Sequence, residues 1–312
     1  MSTPDLDPDA GVKAISFTAT AYRDVYPAID PRHRPELSQA GRVVIITGSS
    51  RGIGQLGFAT SFAHAKAAAI VLIGRSSDAL AKTESLVNKL NPETQVLCIP
   101  LDVTDKNGVD TAFEQIVTRF GVPHVLINNA GTLDSLEPIA EVDIDRWWRT
   151  QEVNVKGTFL MTKAFLKATG SNPAAPTTII NMTSAASQGT PPGMNSYSPA
   201  KMAVTKLTLY ISQEHPTITC VALDPGIVAT DMGCSVPYLA PFMHDTAELS
   251  GGTAVWLCSG DKAYLSGRYV SVNWDLEEVE RRKEEILKDS RLLTFCLKGD
   301  FGGPDVTVHK YN

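Results

Sequence analysis

Seven short apolar runs punctuate this chain between Val43 and Val272, with helical stretches between them. The runs are Val43–Thr47, Ala69–Ile73, Gln95–Leu101, His124–Asn128, Thr177–Met182, Thr217–Leu223 and Tyr269–Val272. Helical stretches are expected near 52–66, 78–90, 105–120, 145–168, 196–213 and 246–259. Runs that are apolar on both faces and separated by helices call for a parallel sheet covered on both sides. The pattern predicts an α/β fold with a doubly wound parallel sheet of seven strands. Ligands of such sheets sit beyond the carboxyl ends of the strands.

The chain has 312 residues, slightly more than the roughly 250–300 that one core serves. It therefore reads as a single domain with extensions: an N-terminal arm over 1–41, the domain over 42–275, and a C-terminal helix and tail over 276–312. The arm is rich in Pro, Asp and Ala and shows no sustained period, so it is expected to be extended or partly disordered. In the C-terminal segment Leu276, Val279, Ile286 and Leu287 would make one apolar stripe on a short helix, and Lys298–Gly303 a loose tail.

Composition removes several function classes. Hydrophobic residues are 43% and charged residues 20%, values of a globular chain. The net charge is −6 and no block of Lys and Arg marks a nucleic-acid footprint. No stretch reaches the roughly 18 apolar residues of a membrane span. The acidic start lacks the apolar core of a secretory signal. The five cysteines are odd in number and lack metal or redox spacing. Cys98 and Cys220 lie in apolar runs and read as buried free thiols, which suits a reducing, cytoplasmic location. The six histidines form no ligand spacing, so no metal is expected. Asn181-Met182-Thr183 matches a glycosylation acceptor but ends an apolar strand, and is read as chance.

The first run is followed by Thr47-Gly48-Ser49-Ser50-Arg51-Gly52-Ile53-Gly54. Gly48 permits a tight turn, and Gly52 and Gly54 allow a backbone or phosphate to approach where a Cβ would collide. The helix that opens there offers unpaired N–H groups to a pyrophosphate. Alone, such a turn is equally well explained as a tight strand–helix corner. Farther on, Tyr197 and Lys201 are four apart and share a helix face. An ammonium beside a phenol favours the phenolate, and a tyrosine tuned that way can exchange a proton with a substrate oxygen.

Thr47-Gly48-x-x-x-Gly52-Ile53-Gly54, Asn128-Asn129-Ala130-Gly131, Asn154, Ser184, Tyr197-x-x-x-Lys201, and Pro225-Gly226 with Thr230 occur in this order. Over about residues 41–275 this set resembles the short-chain dehydrogenase/reductase family. The arm and the segment Gly267–Trp274 look similar to fungal members. The resemblance implies a Rossmann-like fold and a catalytic set of Asn154, Ser184, Tyr197 and Lys201. Tyr197 would be the general acid for carbonyl reduction and the base for alcohol oxidation. Ser184, thirteen residues before Tyr197, would hydrogen-bond the substrate oxygen, while the nearby Ser187 is misplaced by that count. Lys201 would hold the nicotinamide ribose, and Asn154 a water that relays protons from it. The cofactor would lie against Gly48, Ser50, Arg51, Gly52, Ile53 and Gly54, then Asn129, Ala130 and Gly131, then Pro225, Gly226 and Thr230. Asn128 would support the sheet. Asp102 would accept from the adenine amino group, or alternatively cap a helix, a role Thr104 suits equally.

NAD users usually carry an acid at the end of the second strand. Here Gly74 stands in that place, followed by Arg75 and Ser76, and Arg51 lies within the glycine turn. Two guanidinium groups suit a 2′-phosphate, so NADP is expected, with Asp78 close enough to oppose it. The segment Asp231–Asp245 bears Met232, Val236, Tyr238, Leu239, Phe242 and Met243. It would cover a small to medium, mostly apolar carbonyl or alcohol, unless these residues only pack the lid on its own helices. The resemblance also implies a homodimer or homotetramer. A redox-neutral isomerase, dehydratase or cyclase on the same fold is the alternative, and a non-catalytic NADP-sensing regulator a further one.

Overall fold

The apolar runs become the strands of one parallel sheet in the order β3-β2-β1-β4-β5-β6-β7. A computed structural model of the protein describes residues 7–170 and 175–299. The strands are β1 (Val43–Thr47), β2 (Ala69–Gly74), β3 (Gln95–Pro100), β4 (Val125–Asn128), β5 (Thr177–Met182), β6 (Ile218–Asp224) and β7 (Tyr269–Ser271). Every residue of β1, β2, β4 and β5 is buried. Period-two alternation divides β1 between the layers: Val44 and Ile46 face one core, Val43 and Ile45 the other. That double coverage is why the sequence reads as unbroken apolar runs.

Helices α3 (Ser77–Leu90), α4 (Lys106–Phe120), α7 (Tyr197–Glu214) and α9 (Ala247–Leu257) are close to the expected stretches. Two others differ in kind. The stretch near 52–66 is a π-helical segment, Ile53–Ala59, running into α2 (Thr60–His64). The long helix near 145–168 is α5 (Ile144–Gln151), a π-helical segment (Glu152–Gly157) and α6 (Thr158–Thr169) in succession. Sequence periodicity does not separate 3.6 from the wider π turn over a single turn. Among the described residues no helix is long and apolar enough to cross a membrane. The thiols of Cys220 and Cys258 are buried, Cys98 is half-buried, and Cys234 and Cys296 are exposed.

The expectation for the arm requires correction. Residues 7–41 hold one short helix, α1 (Ala10–Ile15), and two 3₁₀ turns, Pro27–Ile29 and Pro35–Leu37, all laid against the domain. Tyr26, Ala28, Ile29 and Leu37 belong to the same core as the sheet. Tyr22 and Asn273 exchange bonds, Tyr22 N to Asn273 O and Asn273 Nδ2 to Tyr22 O, both 2.8 Å. Trp274 Nε1 donates to Ile15 O at 3.0 Å. The segment shows no period because it inserts single side chains from short turns, and its partners lie some 250 residues away in sequence. The same core takes in Leu276 and Val279 on α10 (Leu276–Arg281) and Ile286 on α11 (Lys283–Lys288). Leu287, expected in that stripe, is 53% exposed, because a break at Arg282 makes two helices of the expected one. Lys298 and Gly299 are exposed, and Asp300–Gly303 of the expected tail lie outside the described residues.

If the arm is part of the fold, Ile29→Ala should cost about 2–5 kcal/mol in urea unfolding, the usual loss for a fully buried Ile. A loss below about 0.5 kcal/mol, the scale of a surface change, would show the arm to be only laid on the domain.

Candidate active site

Connections from β1 and β4 leave the sheet toward opposite sides, which opens a crevice at the carboxyl ends of these two strands. Thr47, the last residue of β1, ties its two lips together. Its hydroxyl donates to Ile127 O at 3.3 Å and accepts from Asn129 N at 3.0 Å and Ala130 N at 2.9 Å. Asn129 Nδ2 donates in return to Thr47 O at 2.8 Å and Gly48 O at 3.1 Å. Gly48 has φ +64°, and a Cβ there would stand 2.8 Å from Ala130 Cα. Gly52, φ +55°, opens the π-helical segment.

The crevice deepens into a cavity of about 470 Å³. Gly48, Ser50, Arg51, Gly52 and Ile53 line it, with Arg75, Asp102, Asn129, Ala130, Gly131, Tyr197, Lys201, Pro225 and Thr230. Five predicted site residues stand behind that wall. Gly54 lies beneath the turn, against the Gly48 carbonyl. Ser76 caps α3, its hydroxyl oxygen accepting from Ala79 N at 3.3 Å. Gly226 lies against the Asp245 carboxylate. Ser184 and Asn154 complete the five.

Tyr197 is the first residue of α7 and Lys201 follows one turn later. Lys201 is buried, its Nζ 5.4 Å from the Tyr197 ring centroid, and it donates to Met182 O at 2.8 Å. Ser184 lies within hydrogen-bond reach of the phenol, and its hydroxyl oxygen accepts from Ala186 N at 3.1 Å. Asn154 sits in the π-helical segment, almost fully buried. Its amide pairs with the Thr132 backbone both ways: Thr132 N donates to Oδ1 at 2.9 Å and Nδ2 donates to Thr132 O at 2.8 Å. Both polar ends of that side chain thus hold the strand-four loop. Phenol, hydroxyl and ammonium come together at one side of the crevice, and the arrangement can pass a proton to or from an oxygen placed there.

A family model described as short chain dehydrogenase matches residues 42–237. The chain belongs to the short chain dehydrogenase family. Its members are oxidoreductases that use a nicotinamide cofactor. A short chain dehydrogenase of Monascus purpureus, mpl6, is 38% identical over 91% of this chain and 97% of its own. One of Emericella variicolor, andI, is 31% identical over 90% and 97%. The fungal likeness in the arm and in Gly267–Trp274 is in keeping with fungal relatives that align over nearly the whole chain. Among solved structures, a putative short chain dehydrogenase from Pseudomonas syringae shares the fold at TM-score 0.70 and 22% identity, over 77% of this chain and 97% of its own. A putative short-chain alcohol dehydrogenase from Sinorhizobium meliloti does so at TM-score 0.69 and 25% identity, over the same shares.

Electrostatics in this dehydrogenase differ from the sequence expectation at four places. Burial pushes the Tyr197 phenol well above its ordinary value, and the Asp224 carboxylate adds to the rise; the Ser184 bond offsets it in part. The expected lowering by Lys201 does not appear, because the amine is turned to Met182 O, and burial brings Lys201 itself down to about 8. Asp102 has both oxygens engaged: Thr104 N and Oγ1 donate to one at 2.9 and 2.7 Å, and Arg149 donates to the other at 2.7 Å. Burial would raise its carboxyl, but these bonds outweigh it and hold the group at about 2. The cap of α4 is Asp105, neither Asp102 nor Thr104. Arg51 does not stand free either: it pairs with Asp231 at 2.8 Å across the cavity mouth, both side chains 73% exposed. An exposed pair of that kind is worth about 0–1 kcal/mol and yields to a better anion.

Three functional candidates escaped the sequence reading. Arg149 on α5 and Asp231, the first residue of the short helix α8 (Asp231–Cys234), line the cavity, but charged residues on helices carry no signal by themselves. Asp224 is buried at the end of β6, accepting from Ala185 N at 3.1 Å and Ser271 Oγ at 3.2 Å. An acid ending an otherwise apolar strand, directly before Pro225, was the available clue.

Lys201→Met should stabilise the cofactor-free protein at pH 7 by about 1–3 kcal/mol, since a buried amine brought from 10.5 to about 8 is disfavoured when charged. The amine binds protons more weakly when folded than unfolded. The gain should therefore be full below pH 8 and vanish as the pH rises past 10.5, where the amine is neutral in both states. Thermal unfolding across that range checks it; a variant less stable than the parent at pH 7 would contradict it.

Proposed function

We propose that the protein is an NADP(H)-dependent oxidoreductase that reduces a carbonyl, or oxidises the matching alcohol, on a small to medium and largely apolar molecule. The observation that carries this reading is the Tyr197 phenol set beside Ser184 and Lys201 at the edge of a glycine-floored cavity. The floor fits a dinucleotide. Side chains are absent along the floor at Gly48 and Gly52, and a Cβ at Gly48 would strike Ala130 on the opposite lip and force the cradle apart. The first N–H groups of the segment beginning at Ile53 face no preceding helical carbonyl.

Support for NADP comes from the end of β2. Gly74 occupies the place of the ribose-binding acid, and Arg75 beside it lines the cavity together with Arg51. Arg75 is exposed and no ion pair of its own holds it among the described residues. Arg51 would exchange an exposed partner, Asp231, for a phosphate that carries nearly two charges.

When bound, the nicotinamide supplies or accepts the hydride at the substrate carbon. Tyr197 gives its phenolic proton to the carbonyl oxygen in reduction and takes it back in oxidation. A phenol kept neutral by burial and by Asp224 is in the form that reduction needs. Ser184 orients that oxygen through its hydroxyl. Lys201 would hold the nicotinamide ribose, and Asn154 would keep the Thr132 loop in place beside it. Met232 from the lid lines the cavity, while Val236 is buried within the lid, so the two sequence readings of this segment divide between residues. A homodimer or homotetramer in the cytoplasm remains part of the proposal.

Tyr197→Phe should lower turnover by about 10²–10⁴-fold while NADPH still binds, measured by cofactor absorbance with a panel of ketones and alcohols. Undiminished turnover would remove Tyr197 from its role. Arg75→Ala should weaken NADPH by about tenfold, the scale of one charge-assisted bond, and leave NADH nearly unchanged. Equal losses for the two would mean that Arg75 does not read the phosphate.

A further inference from the structure

Two residues outside the span of the family model, Arg23 and Asp245, meet at the base of the site. The chain leaves β6 at Pro225, carries Thr230, Asp231 and Met232 along the cavity wall, and returns at Asp245. Its two ends are stitched together. Ile227 N donates to Asp245 Oδ2 at 2.5 Å, Asp245 N donates to Ile227 O at 3.4 Å, and Val228 bridges Asp245 in parallel. Gly226, φ +74°, lies so close that a Cβ would strike the Asp245 carboxylate. This carboxylate is the clamp at the neck of the loop.

The Asp245 side chain has no exposure to solvent, and among the described residues its one ion-pair partner is Arg23, at 3.0 Å. Arg23 spans the neck: the same Nη1 also donates to Phe242 O at 3.3 Å, while Nε and Nη2 are held by Asp9 and Pro8 O within the arm. The neighbouring backbone joins in. Thr246 N donates to Arg23 O at 3.0 Å and Thr246 Oγ1 to Asp24 at 2.7 Å, at the residue that caps α9. Asn273 Nδ2 donates to the other side of Asp245 Oδ1 at 2.8 Å.

We propose that Arg23 is a positioning residue of the active site: by holding Asp245 at the neck of the 226–245 loop, the N-terminal arm sets the wall that meets cofactor and substrate. The inference rests on reading the cavity as a dinucleotide site. A buried carboxylate that loses its counter-charge is strongly disfavoured. It regains water only by opening the neck, which frees the Ile227 N–H and lets the loop carrying Thr230 and Met232 shift. Arg23 does not line the cavity and acts on it through Asp245, with the Phe242 carbonyl and Thr246 beside it.

Full-length Arg23→Ala and Arg23→Lys test this, with Arg32→Ala as the arm control, since Arg32 pairs with Asp30 within the arm. Amide hydrogen exchange without cofactor, NADPH binding by fluorescence, and KM against kcat are the readouts. Arg23→Ala should speed exchange across 226–246 by about tenfold or more while the central strands stay protected. It should also weaken NADPH and raise KM about five- to tenfold, as expected when a buried charge is stranded. Arg23→Ala/Asp245→Asn, which leaves no charge to bury, should recover most of the protection. Arg23→Lys keeps the charge without the fork and should fall between; it carries the test if Arg23→Ala does not fold. Exchange across 226–246 at the parent rate in the folded Arg23 variants would overturn the proposal. So would fast exchange there with NADPH affinity and KM unchanged. A parent protein that binds no NADPH would refute the dinucleotide reading instead, and the exchange rates would then still judge the clamp.

Discussion

The exchange of hydrogen bonds between Thr47 and Asn129 is the constraint on which the site depends. Where β1 and β4 part, two strand ends would leave buried carbonyls and N–H groups without partners, at a cost of roughly 1–3 kcal/mol each. Thr47 supplies a hydroxyl to three backbone groups, and Asn129 supplies an amide to two more. The lips are thereby fixed at a separation that leaves room for no side chain at Gly48. A crevice held open by its own polar groups has a floor before any ligand arrives, and that is what an extended dinucleotide requires.

Exclusion of water then acts on the two catalytic candidates in opposite chemical senses but to one end. It raises the phenol of Tyr197 and lowers the amine of Lys201, so both are driven toward neutrality. A cationic nicotinamide and ribose hydroxyls would bring charge and hydrogen bonds back into the same volume. Asp224 is part of this balance. It is buried behind the Ser184 turn through Ala185 N, and its own carboxyl is pushed up by burial. The proton inventory of the site is thus set by three groups, Tyr197, Lys201 and Asp224, the last of which no motif announces.

Much of the fold was legible because burial on both faces writes strands as solid apolar runs, and most observed boundaries fall within one or two residues of the expected ones. The motif residues were legible because glycines at positive φ and a Tyr–Lys pair one helical turn apart leave fixed spacings. What escaped has a common cause. The π-helical segment holding Asn154, the partner of Asp102, and the exposed pair of Arg51 all depend on which side chain arrives from another element. The arm shows the same limit most plainly: Ile29 and Tyr26 are single plugs in a distant core, and a segment of plugs has no period. Arg23 has no motif around it, and its partner Asp245 lies 222 positions later.

This separation between what spacing records and what packing decides bears on where specificity resides. The matched span, residues 42–237, contains the glycine floor, the Asn129 link and the Tyr197–Lys201 pair. It ends inside the lid. From there the lid's return passes through Phe242, Asp245 and Thr246, each held by the arm, while the Tyr238 hydroxyl donates to Pro192 O at 3.1 Å. The wall between Pro225 and Asp245 is therefore held at its return by segments that the matched span does not cover. Arm and glycine turn meet this wall at different places: Arg23 holds its neck at Asp245, and Arg51 pairs with Asp231 across the cavity mouth. On the proposed function, Arg23, Asp245 and Asn273 hold the neck of the wall that a substrate would meet.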